Sequence, residues 1–152
     1  MTELQRVNIS ERHPAAYKAL FALSSEVDAA AAAAGLDPIL VDLLRIRVSQ
    51  INGCAFCLRM HTRDVLKKGE SPDRVAVLPA WAETTYFSET ERAALRLTDS
   101  LARLSDGPMS DEEYGAVAAV LTEDQISVVA WLVTVMNGFN RVSIASGYRV
   151  GR

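Results

Sequence analysis

The sequence predicts an all-helical fold, on three observations. Ser88–Glu91, Ser110–Glu113 and Thr122–Gln125 each have the S/T-x-x-E/Q form that opens a helix by satisfying its first free N–H groups. Apolar residues between them recur at three- and four-residue spacing. Alternating apolar–polar runs bounded by turns, the mark of strands, are missing.

The elements follow in order. Pro14 suits a first helical position and Gly35 the position past an end, which predicts a helix from Pro14 to Ala34. Its stripe is Tyr17, Leu20, Phe21, Val27 and Ala31, with an alanine run from Ala29 to Ala34. Asp37–Pro38 caps and opens a second helix carrying Ile39, Leu40, Leu43, Leu44, Ile46 and Val48. Asn52–Gly53 interrupts it, and a third helix is predicted from Cys54 to Lys68, closed by Gly69. Ser71–Pro72 starts a short helix to Leu78, which Pro79 is expected to stop. The three capping boxes then open helices to Leu104, to Leu121, and from Glu123 past Met136. Val48–Gly53 and Val133–Gly138 echo each other, both ending in Asn–Gly; duplication and coincidence explain this equally well.

The chain has 152 residues, 49% hydrophobic and 23% charged, which fits one globular domain over 1–152 and argues against disorder. A net charge of -3 without a basic block gives nucleic-acid binding no electrostatic support. The polar start, Met1 to Glu11, lacks the apolar segment of an export leader, and no uninterrupted apolar run has bilayer length. A cytoplasmic protein without membrane partners is therefore expected. Its only two cysteines, three apart, point in a reducing compartment to redox or metal chemistry.

Cys54, Cys57 and His61 are spaced three and four apart, so on one helix they share a face. A nucleophilic thiolate needs a lowered pKa or a nearby base. The helix start favours Cys54 as the thiolate, and His61, one turn on, favours Cys57; spacing leaves the order of attack open. Side chains three apart on a regular helix have Cβ atoms about 5–6 Å apart, whereas a disulfide wants about 3.5–4.5 Å. Closing the pair is thus expected to distort the first turn and to give a labile, accessible bond. Zinc is the competing chemistry, with Cys54, Cys57, His61 and Asp42 as ligands. A redox sensor or oligomeric scaffold is a third reading. The blander readings are two buried cysteines, a surface histidine, a solvated first-turn acid at Asp42, and packing or turn roles for Ser49 and Asn52. Trp81 and Trp131 read as core or subunit interface, and nothing demands a cofactor.

The run from Asp42 to Cys57, with His61–Thr62–Arg63 and Lys68–Gly69–Glu70, resembles the alkyl hydroperoxidase D-like group of the carboxymuconolactone decarboxylase superfamily. Trp81 with Ser88–Arg92, and Asn140–Arg141, agree more loosely. The resemblance implies an all-α bundle completing its core as a trimer or hexamer, and peroxidase activity toward organic hydroperoxides. It implies that Cys57 attacks the peroxide and becomes a sulfenic acid, and that Cys54 protonates the leaving alkoxide and then resolves the sulfenic acid as a disulfide. It gives His61 and Asp42 the proton relay, and a small dithiol or dihydrolipoyl-bearing protein as reductant. Two positions depart from the group. Asp42 stands where glutamate is usual, one methylene shorter, and Phe56 stands where some members have histidine. Decarboxylases of the superfamily lack the cysteine pair, so decarboxylation is disfavoured.

Overall fold

A computed structural model describes residues 4–151. It is all-helical, with no strand among the described residues. The helices are α1 (Ile9–Arg12), α2 (Pro14–Ala33), α3 (Pro38–Asn52), α4 (Ala55–Lys67), α5 (Pro72–Val77), α6 (Glu89–Ala102), α7 (Asp111–Ala118) and α8 (Glu123–Ala145).

Local chemistry sets these limits. All three capping boxes form, each with the Ser or Thr oxygen accepting an N–H and the Glu or Gln side chain reaching back. Asp37 caps α3, accepting the Ile39 N–H at 2.7 Å, with Pro38 in the first turn. The N-terminal segment, which showed no helical signal, holds α1, whose cap is Asn8: its side chain accepts from Ser10 N and Glu11 N. Helix α5 ends at Val77, just before Pro79, as expected. The chain then continues as a 3-10 segment, Leu78–Glu83, which tolerates Pro79 in its first turn and carries Trp81 into the core.

Helix α3 is the hub and packs against α4, α6 and α8. It is apolar on most of its circumference, as a helix surrounded by others must be: Leu40, Leu43, Leu44, Ile46 and Val48 are all buried. Around it, α2 and α6 also pack on α8. Charged side chains cross the layers in pairs. Arg47 on α3 donates to both oxygens of Asp99 on α6, at 2.6 and 3.0 Å, and the Trp81 indole donates to the same carboxylate at 3.1 Å. Arg74 bridges α5 to Glu91 on α6 at 2.6 Å, and its guanidinium lies over the Phe87 ring. Helix α8 has the length and a mean hydropathy of 1.3 that fit a bilayer span by composition alone, although Asn137, Gly138, Asn140 and Arg141 interrupt its apolar run. Its apolar residues Val128, Val129, Leu132, Val133 and Met136 instead lie buried in this bundle.

Candidate functional site: a dithiol at the α3–α4 junction

The site begins with one glycine. Gly53 adopts φ +69°, a left-handed conformation that ends α3, and the Cys54 N–H turns back to Ser49 O at 3.0 Å. Cys54 then stands in extended conformation as the N-cap of α4. Sequence spacing put it inside the first turn; the structure puts it one step outside. Its Sγ therefore takes the role a serine oxygen would, accepting the Cys57 N–H at 3.3 Å. The departure from a regular first turn falls on Cys54 itself. With Cys54 off the helix, the Cys54 and Cys57 Cα atoms are 5.4 Å apart, an ordinary separation for the disulfide that joins them.

Both cysteines are buried, Cys54 with 1% and Cys57 with 2% of its surface exposed, where an accessible pair was expected. Their neighbours come from α8. Cys57 Sγ lies 3.6 Å from Ser143 Oγ. Phe56, between the cysteines, sets its ring edge-on to Tyr148, centroids 5.1 Å apart.

His61 lies one turn beyond Cys57 on α4 and is 8% exposed, so it is no surface histidine. Neither ring nitrogen has a protein hydrogen-bond partner. Burial is the main cause that lowers its pKa to about 4, aided by the nearby Arg45 and Lys68 charges and opposed by Asp42 and Asp64. At neutral pH the imidazole is uncharged, with a free lone pair.

Asp42 is buried at 1% exposure, not a solvated acid. Its two oxygens are taken by cations: Arg45 Nη1 donates to Oδ1 at 3.1 Å and Lys68 Nζ to Oδ2 at 2.5 Å. Arg45 also pairs with Asp28. The structure brings Asp42 close enough to act electrostatically on His61, but no hydrogen bond joins them. The competing zinc set does not converge either. No group of three His, Cys, Asp or Glu side chains arranged to hold a metal occurs among the described residues.

Ser49 and Asn52 belong to a polar ladder, buried at Ser49 and Asn140 and half-buried at Asn52 and Asn137, that fixes the junction. Asn52 Nδ2 donates to Asn137 Oδ1 at 2.7 Å and Asn140 Oδ1 at 3.0 Å. Asn140 Nδ2 donates to Ser49 Oγ at 3.1 Å, and Ser49 Oγ to Arg45 O at 2.8 Å. Asn52 and Asn137 are the matching residues of the two Asn–Gly echoes, and they meet directly. Their glycines differ: Gly53 breaks a helix, while Gly138 continues one and lets Leu20 approach. Asn137 was thus visible in the sequence as half of a repeat. Ser143 carried no such signal.

An all-helical bundle presenting a Cys-x-x-Cys disulfide at a helix start, with a neutral histidine one turn on, defines a class of helical dithiol protein. The carboxymuconolactone decarboxylase family model matches residues 14–100, and the chain belongs to that family. It is 41% identical over 108 residues to the uncharacterised protein YdfG of Bacillus subtilis, covering 71% of this chain and 74% of that one. Among solved structures it resembles ATU0492 of Agrobacterium tumefaciens, a protein of unknown function suggested to be the antioxidant defence protein AhpD. The TM-score is 0.88 at 26% identity, over 98% of this chain and 99% of that one. The debrominase Bmp8 shares the fold, with a TM-score of 0.79 at 18% identity over 93% of this chain and 74% of that one.

Proposed function

We propose that this protein is an antioxidant thiol peroxidase that reduces organic hydroperoxides through a Cys54/Cys57 dithiol–disulfide cycle. The observation that carries this reading is the disulfide itself, joined across the start of α4 with one sulfur on a helix N–H. The likeness to ATU0492, suggested to serve antioxidant defence, supports it.

In the cycle, the Cys57 thiolate attacks the distal peroxide oxygen, the O–O bond breaks, and the alkoxide takes a proton from the Cys54 thiol. The Cys57 sulfenic acid is then attacked by the Cys54 thiolate, the S–O bond breaks, and the departing hydroxide takes the proton that Cys57 had given up and leaves as water. An external dithiol restores both thiols, so one hydroperoxide and one dithiol become one alcohol, one water and one disulfide. The reductant is a small dithiol or a dihydrolipoyl-bearing protein. His61, neutral with one free nitrogen lone pair, carries the Cys57 proton transiently; a pKa of about 4 disfavours a standing imidazolium–thiolate pair. Asp42 supports that transient cation by its charge, acting across space or through a water. The chain works as one domain over 1–152, in a cytoplasmic homo-oligomer, trimer or hexamer.

Steady-state consumption of an organic hydroperoxide with excess dithiol tests this. Wild type should turn over, and Cys54→Ser and Cys57→Ser should each lose turnover, with only Cys54→Ser accumulating a trappable sulfenic acid. Free thiols without turnover would move the assignment to a general dithiol–disulfide oxidoreductase or a redox sensor.

A further inference from the structure

We propose that Ser143 is a further catalytic residue of this site: its hydroxyl donates to the Cys57 sulfur and holds the thiolate that attacks the peroxide. This rests on the peroxidase reading and adds to it a group from a different helix.

The two sulfurs are served by different donors. Cys54 Sγ has the Cys57 backbone N–H, so the helix start stabilises Cys54. That N–H does nothing for Cys57, the sulfur assigned the attack. At Cys57 the polar neighbour is Ser143 Oγ, 3.6 Å away. Both residues are buried, Cys57 2% and Ser143 6% exposed, so water does not readily replace the contact.

The chemistry of the contact also carries information: neither disulfide sulfur bears a hydrogen, so the Ser143 O–H is the one group in it that can donate. Serine and threonine inside a helix commonly return their hydroxyl to a carbonyl one turn back. Ser49 does so to Arg45 O at 2.8 Å, and Thr134 on α8 to Ala130 O at 2.8 Å. Ser143 on the same helix as Thr134 makes no such bond, and its partner is the sulfur. His61 does not compete for this place, because neither of its nitrogens has a bonded partner. In the reduced site the Ser143 O–H donates to the thiolate, a charge-assisted bond. Ser143 keeps its proton throughout, so the atom balance of the cycle is unchanged.

The test is site-resolved alkylation of the fully reduced chain against pH, read by mass spectrometry at Cys57 and Cys54 separately, together with hydroperoxide turnover. Ser143→Ala should raise the Cys57 midpoint by about one pH unit, with a roughly tenfold slower reaction below it, and leave Cys54 in place. Ser143→Thr keeps a hydroxyl and Ser143→Val has the same shape without one. Thr should retain the wild-type Cys57 profile and Val should follow Ala, which separates the hydroxyl from volume and remains readable if Ala folds poorly. Turnover should fall in Ala and Val in step with the Cys57 shift. Coincident Thr and Val profiles, or a parallel shift of both cysteines, would overturn the proposal. The expected Cys57 shift in Ala and Val, found beside a wild-type chain that consumes no hydroperoxide, would instead refute the peroxidase reading while leaving the hydroxyl–sulfur bond established.

Discussion

His61 is kept neutral by burial, with its pKa lowered to about 4. An unfolded chain would hold that imidazole near its ordinary pKa of about 6.5. Between those values the unfolded state binds more protons than the folded one, so the His61 contribution to stability rises with pH. It is intact at neutral pH and is lost on acidification from about 6.5 to about 4, by about 3 kcal/mol in total. Urea denaturation of wild type and His61→Leu at pH 7, 5.5 and 4.5 checks this. The wild-type stability should fall more steeply, and parallel lines would show that His61 is not buried in its neutral form. At this scale Cys54, Cys57 and His61 were visible as a candidate group from their three- and four-residue spacing, while the place of Cys54 one step outside the helix was not. Asp42 was legible by resemblance but its environment was not. Its burial and its capture depend on Lys68, 26 residues away, and local sequence does not record that meeting. Ser143 lies 86 residues from Cys57, and only the packing of α8 on α4 brings them together.

At the scale of elements, the dithiol owes its place to the junction between α3 and α4 and to the ladder that ties this junction to α8. Asn140 is 1% exposed and meets Asn52, Ser49 and the Met136 sulfur, so its loss leaves both Asn52 and Ser49 short of a hydrogen bond. Asn140→Ala should cost about 2–3 kcal/mol in denaturant unfolding. It should also loosen Cys54, which is held through its N–H on Ser49 O, seen as faster amide exchange at Cys54. Unchanged stability and exchange would reduce the ladder to a bystander. The helices themselves were readable from caps, prolines and glycines, because those signals act within one turn. The exceptions follow the same physics. Asn8 closes a four-residue helix too short to show periodicity. Pro79 ends an α-helix while fitting a 3-10 turn equally well, and the burial of Trp81 decides which is made.

Across the whole molecule, one buried helix, α3, holds both a core and a site. Its polar members Asp42, Arg47 and Ser49 are buried along with its leucines, each matched to a partner from another element or its own backbone. The all-helical bundle was foreseeable from the sequence; the central position of α3 was not, since it follows from which helices surround it. Phe21, Trp131 and Tyr86 remain half exposed on this surface. The proposed turnover draws on this whole arrangement, and one measurement tests it most directly. Fully reduced protein is mixed with one equivalent of an organic hydroperoxide, with no other thiol present. The Cys54–Cys57 peptide and the organic product are then quantified. The account predicts one Cys54–Cys57 disulfide and one alcohol formed per hydroperoxide consumed. Persisting free thiols with intact hydroperoxide would contradict it.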